Sequence, residues 1–132
     1  MEFALVLPIF ILILAGILDF GFLLYSRITL INATREGARA AVTEIANPQG
    51  IPGLVTSTIN ADATGLTVSD LTVTETCVPH QQVSCDFVTG GNPDPLSGDA
   101  IRVSTTYVYH SFFARLFGTT INFGTQIEMV IE

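Results

Sequence analysis

The sequence predicts an α+β fold: one long N-terminal helix, about residues 2–46, carrying a small antiparallel β-sheet domain at its far end. Three observations lead there. The opening stretch MEFALVLPIFILILAGILDFGFLLY contains, from Phe3 to Tyr25, a single charge, Asp19. From Ser26 to Ala46 no proline interrupts the chain, and Ile28, Ile31, Val42 and Ile45 recur at helical spacing. Further on, Thr, Ser, Asn and Gly replace Leu and Ile, and apolar and polar residues alternate as in half-buried strands. The 132 residues thus divide into a helix over 1–47 and a small domain over 48–132.

The helix has two halves of different character. Residues 3–25, at about 1.5 Å per residue, reach roughly 34 Å, enough to cross a hydrocarbon layer of about 30 Å. An acid at the front and the lack of a cleavage-type break distinguish this run from a removable secretory signal. The half over 26–46 is amphipathic and must pack on something. Ala33, Gly37 and Ala41 recur every four residues and leave a smooth groove that lets another backbone approach closely. Two occupants fit it, the chain's own sheet or helices of neighbouring copies. Asn47-Pro48 followed by Gly50, Pro52 and Gly53 ends the helix, since proline cannot continue the hydrogen-bond ladder.

A short helix over about 54–63 follows, weakened by Thr and Asn and closed by Gly65. Then come strands. Leu71 and Val73 oppose Thr72, Thr74 and Thr76; Ile101, Val103, Tyr107 and Tyr109 alternate with Arg102, Ser104 and Thr106. Ile121, Phe123, Ile127, Met129 and Ile131 oppose Asn122, Gln126, Glu128 and Glu132, as one solvated and one buried sheet face requires. Between the last two strands, HSFFARLFGTT is too apolar for an ordinary exposed loop, so it is expected to fold back as a lid or to meet a partner.

Charge and cysteine usage narrow the classes of function. Lysine is absent, and five arginines against twelve acids give a formal charge of -7, which argues against a nucleic-acid partner. Arg27, Arg35 and Arg39 lie just past the apolar run, and the positive-inside rule alone would place the domain in the cytoplasm. Cys77 and Cys85 argue the reverse: seven residues with a proline between two cysteines read as a disulfide-closed loop outside the cytoplasm, contributing about 2.5 kcal/mol on a chain-entropy account. A basic leader removed from in front of Met1 would reconcile the two.

No catalytic constellation is visible. His80 and His110 stand apart from each other and from any acid at useful spacing, and no nucleophile elbow, zinc helix or phosphate loop occurs. Asn92, Asp94 and Asp99 lie in a turn-rich stretch whose spacing matches no calcium loop. Asn32-Ala33-Thr34 fits a glycosylation sequon by chance, within a helix. The expectation is a non-enzyme with no metal and no cofactor.

The residues EFALVLPIFILILAGILDFGFLLYSRITLINATREGARAA resemble the N-terminal segment of TadE-like pseudopilins of tight-adherence pilus systems. The resemblance rests on Glu2-Phe3-Ala4-Leu5, Pro8, Asp19-Phe20-Gly21 and the motif Arg35, Glu36, Gly37, Ala38, Arg39. The C-terminal YVY and final strand also look like the ending of such proteins. The resemblance implies a pilin-like lollipop and processing by a membrane prepilin peptidase. It further implies an assembly platform, and a filament of copies whose helices leave the lipid for a shared core. This chain departs from the pattern in that Glu2 is nearly terminal, whereas the family's acid stands fifth. In such assemblies Glu2 is expected to pair with the terminal amine of an adjacent copy. Asp19, an acid within a span, is expected to face a partner, with Arg27 of another copy as the leading candidate, and Pro8 to bend the first turns. A filament subunit is the expected function. The alternatives are a minor pseudopilin that primes or tips another pilus, and a membrane-anchored binding domain that never polymerises.

Overall fold

The computed structural model describes residues 2–44, 47–80, 82, 84–87, 95–111, 118 and 120–132. Helix α1 runs unbroken over Glu2–Thr43, in keeping with its lack of internal breakers after Pro8, which the helix accommodates. A 3-10 turn over Pro48–Gly50 leads into α2, Ile51–Asp62. The second helix begins three residues earlier than the sequence suggests. Pro52 does not terminate structure there but lies in the first turn of α2, where its missing N–H has no intrahelical partner to lose and its fixed φ suits the helix.

Three antiparallel strands follow, β1 (Leu71–Val78), β2 (Ala100–Tyr109) and β3 (Ile121–Val130), in the spatial order β1-β2-β3. Register is set by the alternation: Leu71 opposes Tyr107, and Tyr107 opposes Phe123, so that large side chains line one face. The Tyr107 and Phe123 rings lie 5.7 Å apart and tilted, a favourable aromatic arrangement. On the other face Arg102 sits directly across from Glu128 and bonds it at 2.9 Å, an exposed pair that adds little stability.

The C-terminal half of α1 lies across β2 and β3, and α2 packs beside it. The core between helices and sheet is built from Leu30, Ile51, Val55, Ile59, Ile101 and Val103, all fully buried. A buried polar contact crosses it, Thr34 Oγ1 to Thr105 Oγ1 at 2.6 Å, with the Thr34 hydroxyl also 2.7 Å from the Leu30 carbonyl. Buried hydroxyls placed this way satisfy each other and fix the register of helix on sheet. The architecture is the predicted α+β lollipop, a long apolar helix followed by a small three-stranded sheet.

Cys77 and Cys85 are joined in a disulfide. The HSFFARLFGTT segment over 112–117, together with Asn92 and Asp94 of the turn-rich stretch, lies outside the described residues.

Candidate functional site: the free helix and its attachment to the sheet

The candidate functional surface is the part of α1 that the domain leaves uncovered. From Phe3 to Leu18 eleven large apolar side chains are exposed, Phe3 at 77% and Ile17 at 65% among them. The helix is long and apolar enough to cross a membrane, and none of its most apolar 18-residue window is buried by the rest of the chain. Leu23 is the first large residue to pack against the core, and Leu30 is fully buried.

Asp19 marks the junction. The Tyr109 hydroxyl, at the end of β2, donates to Asp19 Oδ1 at 2.9 Å and also lies 3.2 Å from the Asp19 carbonyl. Tyr109 is pushed up to about 12, first by burial and then by its bond to the Asp19 carboxylate, so it stays a neutral donor throughout the physiological range. Asp19 therefore has a partner within its own chain, one the sequence did not suggest. Arg27, the expected partner from another copy, is exposed and forms no ion pair among the described residues. The contact also redefines the span. Between Glu2 and Asp19 lie 16 residues, roughly 24 Å of helix, and the domain edge reaches the level of Asp19. Past it the outer side of α1 stays apolar and exposed, through Phe20, Phe22, Leu24 and Ile28, while the inner side is already covered.

The small-residue groove has a definite occupant. Ala33 and Ala41 are fully buried, and a Cβ added at Gly37 would lie 2.5 Å from Ile59 Cγ1 and 2.7 Å from Ile59 Cδ1. At Gly37 the groove receives α2, an answer neither of the two expected occupants supplied. Tyr25 makes a second link, donating its hydroxyl to the Thr64 carbonyl at 3.2 Å, with Gly65 at φ +83° against its ring. Of the motif residues, Gly37 and Ala38 are buried, whereas Arg35, Glu36 and Arg39 face outward.

Two acids, one just before β2 and one on β1, have structural roles that alternation alone does not reveal. Asp99, 1% exposed, accepts bonds from the backbone N–H of His80 at 2.8 Å and of Leu96 at 2.9 Å, and from the Gln82 side-chain amide. It ties the loop closed by the disulfide to the start of β2. Glu75 points inward from β1 and accepts the Thr56 hydroxyl of α2 at 3.3 Å. Burial raises its pKa, outweighing the hydrogen bonds that lower it. A raised carboxyl pKa means that folding binds a proton, so the destabilisation is full above the folded pKa and relieved as the pH falls below it. Glu75→Gln is expected to raise the thermal midpoint at pH 7 and to leave it unchanged at pH 3, where the glutamate is itself neutral; equal midpoints at both values contradict this.

Cys77, Cys85 and Asp99 present ligand-type atoms within 4.8 Å of one another. Metal binding there would require thiolates, and the two sulfurs are already bonded to each other.

Comparison with known proteins places a match on one part of the chain. Residues 1–39 match the family model described as TadE-like protein. The match takes in the free helix, Asp19 and the motif from Arg35 to Arg39, and ends before α2 and the sheet. No curated protein and no solved structure matches the chain.

Proposed function

We propose that this TadE-like chain is a structural subunit of an extracellular pilus-like filament, polymerising through α1 after prepilin-type processing. The observation that carries the reading is the free helix: eleven large apolar side chains project from one end of a small folded domain that covers none of them. At about 1.5 kcal/mol or more per large side chain, their exposure to water is prohibitive, so the segment lies either in lipid or among other helices. Before assembly the precursor sits in the cytoplasmic membrane, where a prepilin peptidase and an assembly platform act on it; afterwards the β-domain lies on the cell surface.

Lipid and sister helices offer equal apolar cover, so hydrophobicity alone does not extract the helix. The differential term is polar. Glu2, the first residue of α1, is unfavourable in hydrocarbon unless it meets a cation, and a neighbouring subunit's terminal amine supplies one. Helices assembled in a head-to-tail, non-closing contact then form an open filament.

Glu2→Ala is expected to cut the yield of sheared surface fibres at least tenfold while leaving membrane insertion intact; wild-type yield would refute the pairing. Mass spectrometry of those fibres separates the alternatives. A bulk component is expected. A trace amount would indicate a minor subunit that primes or tips another pilus, and complete absence with retention in the membrane would indicate a bitopic binding protein.

A further inference from the structure

We infer that the cleft between α1 and the C-terminal end of α2 receives an arginine from a second copy of this chain, supplied by Arg35 or Arg39. The inference rests on the self-association reading above and specifies which polar surfaces meet.

The cleft has a volume of about 360 Å³ and is lined by Tyr25, Thr29, Asn32, Glu36, Asp62 and Thr64, with the Tyr25–Thr64 hydrogen bond forming part of its wall. Its chemistry is acceptor-rich. Glu36 and Asp62 contribute carboxylates, and Asp62 is the last residue of α2, where the helix carries its partial negative charge. An acid at that end is unfavourable for an isolated helix, and a cation there is favourable. Among the described residues, neither Glu36 nor Asp62 forms an ion pair.

The matching cations lie on the same molecule but face away from the core. Arg27, Arg35 and Arg39 are exposed, and among the described residues none of them is paired either. Helical spacing puts Leu24, Ile28, Arg35 and Arg39 on one outward stripe of α1, so the exposed apolar surface runs directly into the arginines. A copy that covers Leu24 and Ile28 meets Arg35 next. Arg35 lies one residue before Glu36 and Arg39 three residues beyond it, so parallel helices staggered by no more than about 5 Å bring one copy's guanidinium level with the other's Glu36. Cleft and ridge are different surfaces, so each copy offers both and the contact repeats without closing. A planar guanidinium can bond a carboxylate in fork geometry, which fixes the stagger as well as adding attraction.

Charge reversal tests this. Fibres are recovered from cells expressing Arg35→Glu with Arg39→Glu, Glu36→Lys with Asp62→Lys, or all four changes together. The two double variants are expected to lose at least tenfold in fibre yield, and the fourfold variant to recover most of it, because its cleft and ridge are again opposite in sign. Wild-type yield from either double variant, or no recovery in the fourfold variant while its disulfide forms and it inserts, overturns the inference. If arginine reversal instead releases the precursor from membranes, the ridge binds lipid phosphate and the inference also falls. Cysteine cross-linking in membranes, between Asp62→Cys and Arg35→Cys copies, separates this from the filament reading. A cross-link without wild-type fibres keeps the contact and rejects the filament, whereas unchanged fibres without a cross-link do the reverse.

Discussion

Asp99→Ala is expected to lower the thermal midpoint of the detergent-solubilised chain by more than about 10 °C, corresponding to a loss of roughly 3–5 kcal/mol. The carboxylate is 1% exposed and receives donors from His80, Gln82 and Leu96, all from the long connection between β1 and β2. Removing it takes the acceptor away from two backbone N–H groups, those of His80 and Leu96, and each such loss costs about 1–3 kcal/mol. The damage extends to the C-terminus, because the Asp99 carbonyl also accepts the Ile131 N–H and Ile131 is buried. Proteolysis should then cut in 79–98, and the disulfide holds the fragments together only where the cut falls between Cys77 and Cys85. Asp99→Asn keeps one side-chain acceptor and should fall between. A midpoint for Asp99→Ala within a degree of wild type would show that water replaces the carboxylate without cost.

What the sequence disclosed and what it hid follow from the range of the interactions. Strand faces were legible because a period of two is a local property: Ile101, Val103 and Tyr107 point inward as alternation requires. Glu75 obeys the same rule, yet β1 reads as a Thr-rich surface strand whose apolar side stops at Val73, and only α2 placed over it explains an inward acid. The start of α2 was obscured because Pro52 and Gly53 are equally at home in a turn and in a first helical turn. The attachment of Asp19 to Tyr109 spans 90 residues, and no local pattern encodes it. A signal did exist, since alternation buries Tyr109 and a buried phenol needs a partner for its hydroxyl. Asp19, an acid in an apolar helix, needed a donor as well. Pairing the two unsatisfied groups would have placed the domain edge correctly.

Gly37→Leu should be the most damaging single change on α1, costing about 3 kcal/mol or more, although Gly37 lies within the motif that first suggested an assembly role. A Cβ alone would come 2.5 Å from Ile59 Cγ1, and Ile59 is fully buried. In Gly37→Ala the better helix propensity offsets about 1 kcal/mol, so that variant should lose less. Coupling to Ile59 identifies the cause. Ile59→Ala alone should cost about 2–5 kcal/mol by leaving a cavity, and combined with Gly37→Leu the loss should be well below the sum, because the new side chain fills the vacated space. Additive losses would place the wedge elsewhere. The matched segment ends at Arg39, while α2 lies wholly beyond it. Within that segment, then, Arg35 and Arg39 face outward, whereas Gly37 is small so that the chain's own second helix can lie close. Gly37 substitutions should therefore reduce fibre yield only in proportion to the folded protein lost, whereas Glu2→Ala should reduce it with the folded protein intact.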